Sequence, residues 1–315
     1  MPKEQALQYR TLGKTALRVS VLSFGASSLG GVFKPVEESV AIRTVHTALD
    51  LGINFIDVSP FYGYTKAEEV LGKALRGIPR ERYYLATKVG RYGDAEFDFS
   101  AERSAKSLEQ SLRRLGVDYV DLVQSHDNEY GDLTQVIEET LPALRGLQKQ
   151  GKARFVGVTG YPLKIFRTIL SRTEADTILS YNHYSLNDTT LASLLPSLQQ
   201  KQVGIINASP VSQGLLTNQA LPSWHPAPED VRMACAAAAA YCRAQGTDIA
   251  KLAMQFSLSN PEIHTTLVGT ANPANLEKNV RWIEEPIDQH LLEQVQERLA
   301  GIKDRGWTLG RAENN

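Results

Sequence analysis

Eight times along the chain a short apolar run rich in Val, Ile, Phe and Tyr is followed by a stretch with helical periodicity, which is how parallel β-α units read. Strands are expected at residues 21–24, 55–58, 84–88, 119–125, 154–158, 177–179, 204–207 and 266–268. Helices are expected near 36–51, 66–76, 101–115, 133–150, 163–171, 189–202, 230–245 with 248–259, and 274–282. Each strand is short and separated from the next by helix, so a closed barrel is favoured over an open doubly wound sheet. The expected fold class is α/β: a (β/α)8 TIM barrel with an N-terminal β-hairpin and extra C-terminal helices.

The 315 residues are then a single barrel domain, since barrels of this kind exceed ordinary domain length. Residues 9–12 and 17–20 flank Gly13-Lys14 and read as a hairpin, within residues 1–20, that closes the bottom of the barrel. Ser100, Thr134, Asp188 and Asn272 are expected helix N-caps, with Pro273 at the first helical position. Another helix is expected over 287–302, and residues 303–315 read as a loose, polar C-terminal tail.

Charge bounds the partners. Lys and Arg number 34 against 35 Asp and Glu, a formal net charge of −1, and no long run of like charge occurs, so a nucleic-acid partner is not expected. The chain opens Met-Pro-Lys-Glu-Gln with no apolar stretch of signal length, and no membrane-length apolar run follows; a cytoplasmic protein is expected. Cys235 and Cys242 read as buried thiols on one helix face, too far apart along the axis for a bridge. The histidines form no short ligand pair, so no metal is expected. The glycines of residues 25–31 have phosphate-loop spacing but lack the following Lys-Ser/Thr, and no Gly-x-Gly-x-x-Gly fingerprint occurs.

In a barrel of this kind the active site lies where strands end and loops begin. Asp57 ends the second expected strand, Tyr62 follows in the next loop, Lys88 ends the third strand and His126 ends the fourth. Singly these read as an ion-pair member, a half-buried loop aromatic, a snorkelling amine and a hydrogen-bonded core histidine. Together they form a proton-transfer device. An ammonium beside a phenol stabilises phenolate, Asp57 keeps Lys88 charged and oriented, and His126 directs a substrate oxygen toward Tyr62. Moving one proton to or from an oxygen suits hydride transfer with a nicotinamide cofactor. A Schiff-base lyase acting through Lys88 is an open alternative.

Around these residues the chain resembles the aldo-keto reductase superfamily from about Tyr9 to Trp282. The resemblance rests on Gly52-Ile53-Asn54-Phe55-Ile56-Asp57-Val58-Ser59 leading to Tyr62-Gly63, on Ala86-Thr87-Lys88, and on Asp118-Tyr119-Val120-Asp121-Leu122 leading to His126. Ala208-Ser209-Pro210 leading to Gly214-Leu215-Leu216, and Asn275 with Asn279, complete it. It implies that Asp57, Tyr62, Lys88 and His126 are a catalytic tetrad. It also implies a nicotinamide site at Gly25, Ala26 and Ser27, beside Asp57, and a pyrophosphate site at Ser209, Pro210, Ser212, Gly214 and Leu215. Gly269, Thr270, Asn275 and Asn279 complete the implied cofactor site. Where the family often has Ser-Asn and Gln for the carboxamide, this chain has Thr159-Gly160 and Tyr181; where an aromatic often stacks on the nicotinamide, it has Ala208. NAD is expected over NADP, because Gly269 and Asn275 stand where phosphate-binding members place Lys and Arg.

Within the superfamily, Ser180-Tyr181-Asn182-His183-Tyr184-Ser185, Asn207-Ala208-Ser209-Pro210 and Thr159-Gly160 resemble the plant L-galactose dehydrogenases and the bacterial aldose 1-dehydrogenases. This implies oxidation at C1 of an aldose of the L-galactose, L-fucose or D-arabinose type, giving a lactone. An NADPH-dependent aldehyde or ketone reductase of broad specificity and a cofactor-binding regulatory subunit are the alternatives. Substrate contacts are assigned to Tyr62, His126, Phe33, Tyr92 and Asp127, and the partner to a small sugar or carbonyl compound, with no membrane.

Overall fold

The structure, a computed structural model, describes residues 7–32, 34–221 and 225–315. Eight parallel strands close into a barrel: β3 (Leu22–Gly25), β4 (Phe55–Asp57), β5 (Tyr84–Val89), β6 (Val120–Ser125), β7 (Ala153–Gly160), β8 (Thr177–Tyr181), β9 (Gly204–Ala208) and β10 (Thr265–Gly269). They follow one another around the ring, and β10 pairs back onto β3. Helices α1 (Glu38–Asp50), α2 (Lys66–Leu75), α3 (Ala101–Leu115), α6 (Leu163–Arg172) and α10 (Pro273–Glu284) are among those that form the outer layer. The helix expected at 133–150 comprises α4 (Leu133–Gln135) and α5 (Leu141–Lys149) around a π-turn at Val136–Thr140. The helix at 189–202 shrinks to α7 (Leu195–Gln200) after a 3-10 turn at Thr190–Leu194.

Two apolar layers follow from the strand period of two. Val156, Val158 and Ile178 point outward and pack under the helices, whereas Phe55, Ala86, Leu122, Leu179, Ile206 and Leu267 fill the interior. The hairpin of β1 (Tyr9–Thr11) and β2 (Arg18–Ser20) closes the lower end, inserting Leu12, Leu17 and Val19 into that interior layer. Gly13 is required there: its φ is +51°, and a Cβ would come within 2.4 Å of the Gly204 amide nitrogen.

Among the caps, Ser100 accepts from Arg103 N and Asn272 from Ala274 N, as expected. Asp188 is not an N-cap: Thr189 holds that position before the 3-10 turn, and Asp188, one residue earlier, accepts from Thr190 N at 2.9 Å. Thr134 is not a cap: Asp132, two residues earlier, is the N-cap and accepts from the Thr134 amide, and the helix starts at Leu133. Helices α8 (Glu229–Ala244), α9 (Ile249–Ser259) and α11 (Gln289–Leu299) form a second apolar cluster that buries Cys235 and Cys242 as free thiols. Burial pushes them up to about 12 and about 11.

Residues 303–315 are not a loose tail. Trp307 stacks on Tyr161 at 5.4 Å, and buried Asn314 donates to the Glu129 and Gly131 carbonyls at 2.9 and 3.0 Å. The segment lacks an apolar run because hydrogen bonds and the Trp307 ring, which meets both Tyr161 and His225, hold it to the barrel mouth. Among the described residues, no helix is long and apolar enough to cross a membrane.

Candidate active site

The same alternation that sends Phe55, Ala86 and Leu122 inward puts Asp57, Lys88 and Gln124 one step above them at the C-terminal ends of β4, β5 and β6. His126 follows β6 directly, its amide donating to Val89 O at 2.8 Å. Tyr62 arrives from the β4–α2 loop, whose position depends on two glycines. Gly63 has φ +62° and a Cβ there would come within 2.3 Å of Gly30 O, while a Cβ on Gly30 would come within 2.7 Å of Tyr62 O. The loops after β3 and β4 therefore touch backbone to backbone beside the phenol.

Lys88 is buried, and each of its ammonium hydrogens has an acceptor. It donates to Asp57 Oδ1, to Val58 O at 2.9 Å and to the Tyr62 hydroxyl oxygen at 3.1 Å. Gln124 Nε2 donates to the other Asp57 oxygen at 2.8 Å. Because Tyr62 accepts from Lys88 and has no acceptor for its own proton among the described residues, that proton is left for a group in the cleft. Burial opposes the Lys88 charge, yet Asp57 and Tyr62 hold its pKa above the usual lysine range. Burial also raises the Asp57 carboxyl against the pull of Lys88 and Gln124.

For Tyr62 the balance differs from the expectation of a simply depressed phenol. Burial pushes its pKa up, Asp57 and Asp127 push the same way, and the opposing pull of Lys88 does not overcome them. Even with the Lys88 ammonium beside it, the phenol stays protonated near neutral pH. The Tyr62 and His126 rings meet edge to face, centroids 5.7 Å apart at 90°. Burial, with Lys88 and Arg91 nearby, pushes His126 down to about 3, so its imidazole is neutral at physiological pH.

The residues assigned to the cofactor gather around the same mouth. Gly25 and Gly269 are register partners on β3 and β10, and a Cβ on Gly269 would come within 3.3 Å of Ser27 Oγ and Gly25 O, leaving an open cradle beside Ser27. After β9, Ser209, Ser212, Gln213 and Gly214 all have positive φ, at 59°, 48°, 54° and 108°. Backbone strain of this kind is held where a ligand is bound, while the Ser212, Gly214 and Leu215 amides close turns within the loop onto Ser209 O, Val211 O and Ser212 O at 2.8, 3.0 and 3.2 Å. Asn182 donates to Gln213 Oε1 at 3.1 Å, and its own Oδ1 is buried without a partner. The close glycine pair beside Ser27 and that free acceptor fit a dinucleotide.

Other assignments are modified. Ser212 turns its hydroxyl inward onto Asn187 at 2.6 Å and its amide onto Ser209 O at 2.8 Å, and Leu215 is buried in the second apolar cluster with its amide on Ser212 O at 3.2 Å, so neither has a free donor for a phosphate. Thr270 Oγ1 accepts from Asn272 N at 3.1 Å and from Asn275 Nδ2 at 3.4 Å, and Asn279 is buried behind them. Pro210 lies within the positive-φ loop and Ala26 is buried below Ser27. Thr159 Oγ1 accepts from Asp127 N at 3.0 Å, leaving its own proton available. Tyr181 donates to Glu129 Oε1 at 3.1 Å. Gly160 is explained by packing: a Cβ there would come within 2.1 Å of Ile165 Cδ1 and 2.5 Å of Glu129 Oε2. Tyr92 is turned away from the cleft, its hydroxyl accepting from Gly90 N at 3.0 Å and its ring under the Arg103 guanidinium of α3. Phe33 lies outside the described residues.

Sequence reasoning missed Ser59, Gln124, Arg91 and Glu129. Gln124 was findable, because it lies two residues before His126 on an inward strand face. The others depend on pairings across loops.

The profile of the aldo/keto reductase family matches residues 21–300. The chain belongs to that family. It is 48% identical over 317 residues to the L-galactose dehydrogenase of Arabidopsis thaliana, covering 98% of this chain and 99% of that one. It is 33% identical over 256 residues to the D-arabinose 1-dehydrogenase of Saccharomyces cerevisiae, covering 76% of each. In structure it is similar to the holo form of an aldo-keto reductase from Bacillus halodurans, with a TM-score of 0.79 at 28% identity over 97% of this chain and 99% of that chain. This aldo-keto reductase is therefore an oxidoreductase of a family that uses NAD or NADP.

Proposed function

We propose that this aldo-keto reductase is an NAD-dependent aldose 1-dehydrogenase, oxidising a sugar of the L-galactose, L-fucose or D-arabinose type at C1 to the lactone. The observation that carries the reading is the Lys88 ammonium with all its hydrogens engaged, which leaves the Tyr62 hydroxyl facing the cleft. The nicotinamide, when bound, takes the hydride from C1. Tyr62 is the general base that receives the C1 hydroxyl proton, His126 donates to the same oxygen, and Lys88 with Asp57 sets the phenol's acidity. The raised phenol must lose its proton to act in this direction, and Lys88 is the neighbouring group that favours its phenolate. The names of the relatives from Arabidopsis thaliana and Saccharomyces cerevisiae, both dehydrogenases acting on sugars, support the substrate class.

The test is a panel of aldoses and simple aldehydes assayed with both nicotinamide cofactors, with Tyr62→Phe as control. Lactone formation from one of the three sugars, lost by at least about 100-fold in the variant, is expected. Reduction of simple aldehydes with no aldose oxidised would replace the proposal by a general carbonyl reductase.

A further inference from the structure

A buried charged pair borders the reacting position and takes no part in the proton transfer described above. Arg91 NH1 donates to Asp127 Oδ2 at 2.6 Å, with 16% of the Arg91 side chain and 8% of the Asp127 side chain exposed. The guanidinium lies 3.8 Å over the Phe61 ring, and 5.3 and 5.2 Å from the rings of Phe97 and Tyr130, so aromatic faces fix its plane. Phe97 and Tyr130 themselves stack at 4.6 Å. A pair this dry is a poor stabiliser, since apolar residues of the same volume would serve as well.

Asp127 sits in the left-handed region, φ 49° and ψ 56°, held there by its amide bond to Thr159 Oγ1. One carboxylate oxygen is committed to Arg91. The other, Oδ1, lies 3.6 Å from His126 Nε2 and makes no hydrogen bond among the described residues. A substrate oxygen bound by Tyr62 and His126 Nε2 brings whatever the neighbouring carbon carries up to that free oxygen.

We infer that Asp127, held by Arg91, accepts a hydrogen bond from the hydroxyl on the carbon next to the one oxidised. The pair thereby selects α-hydroxy substrates, aldoses and α-hydroxyaldehydes, over compounds lacking that group. A site with a buried acceptor waiting for a hydroxyl discriminates strongly, because the analogue without it leaves the carboxylate desolvated and unpaired. An apolar pocket wall at this position would give no such penalty. The inference rests on the aldose reading for the direction of the reaction, and the experiment separates the two.

kcat/KM is measured for L-galactose against 2-deoxy-L-galactose and for D-arabinose against 2-deoxy-D-ribose, pairs that differ only in the C2 hydroxyl. The wild-type protein is expected to favour the 2-hydroxy sugar by at least about 100-fold. Asp127→Asn, a residue that tolerates left-handed backbone, is expected to bring the ratio below about tenfold, with the dissociation constant of NAD unchanged by fluorescence titration. Arg91→Lys, which leaves the carboxylate but removes its planar clamp, is expected to raise KM for the 2-hydroxy sugars, and it serves if Asp127→Asn does not fold. A wild-type protein that accepts the deoxy sugars equally well, or a ratio unchanged in Asp127→Asn, overturns the inference. If no aldose is oxidised, the proposed function fails and the comparison moves to reduction of glycolaldehyde against acetaldehyde. The same preference and the same loss there sustain the role of Asp127, and equal rates overturn it.

Discussion

Ser59 Oγ lies 3.0 Å from His126 Nδ1, and the same oxygen accepts the Phe61 amide hydrogen at 3.1 Å. Among the described residues the serine's own hydrogen has no acceptor but Nδ1, and it is assigned there. The neutral imidazole then carries its proton on Nε2, the nitrogen beside the Asp127 carboxylate. On the proposed function Ser59 is then a positioning residue, which keeps the neutral His126 ring a donor on its Nε2 side.

Replacing Ser59 by Ala removes that constraint. One buried hydrogen bond is worth about 1 kcal/mol, so kcat is expected to fall roughly fivefold to tenfold with cofactor affinity unchanged. The decisive readout is the ring nitrogen chemical shifts of His126 in 15N-labelled protein, which report the tautomer directly. An unaltered tautomer with unaltered kcat removes Ser59 from the machinery.

Lys88 is the only group in the tetrad that pulls the Tyr62 pKa down, against burial and two carboxylates. Oxidation needs the phenol as a base, so the rate is expected to rise with pH until Tyr62 is ionised. Lys88→Met should move that limb to higher pH and lower turnover near neutrality by at least about 100-fold. His126, already neutral, contributes no limb of its own between about pH 4 and 8. A profile in the Lys88→Met protein that overlays the wild-type curve refutes the coupling.

The division into strands and helices was legible because the period of apolar residues changes between two and 3.6 along this chain, and Asp57, Lys88 and His126 fall at the ends of strands so found. What was not legible is pairing across elements. Nothing local in the sequence says that Ser59 faces His126, that Arg91 reaches Asp127, or that Gln124 holds Asp57, because each depends on barrel register and loop path. The C-terminal segment was misread for a related reason. Its polar composition suggests solvent, whereas Asn314 is polar because it completes the carbonyls of Glu129 and Gly131. Tyr92 looked like a cleft residue from its loop and turned out to face α3.

Glu129 gives a prediction on stability. It is fully buried, its Oε2 has no partner among the described residues, and burial together with Asp127 pushes the carboxyl up to about 8. In the unfolded chain it titrates near its ordinary value, so between the two the folded state holds a proton that the unfolded state has lost. The stability from this group is therefore complete in acid and is lost as the pH rises through about 8. Glu129→Gln keeps the shape and removes the titration. Its melting temperature is expected to match wild type near pH 5 and to exceed it by at least about 2 °C near pH 8.5. An equal gap at both pH values contradicts the assignment of a protonated Glu129.

The last prediction concerns the choice of cofactor, for which NAD is expected over NADP. The 2′-phosphate carries roughly −2 charge, and its recognition calls on an Arg fork or a Lys point charge. Around the start of α10 the chain offers neither: Gly269 has no side chain, and Asn275 is turned onto Thr270 Oγ1. Lys278 lies nearest along the helix, but its ammonium sits 4.5 Å over the Trp282 ring, one turn further on, and is engaged there. Pro273 removes one amide from the helix N-terminus, and Asn272 caps another through Ala274 N, so few backbone donors are left for the phosphate. kcat/KM with NAD is expected to exceed that with NADP by at least about tenfold at saturating sugar. Asn275→Arg should narrow the gap by supplying the fork. Gly269→Lys is the less clean change, since a Cβ there already meets Gly25 O at 3.3 Å. A wild-type preference for NADP of tenfold, about 1.4 kcal/mol in the transition state, would show that Lys278 or Arg281, further along the same helix, reaches the phosphate after all.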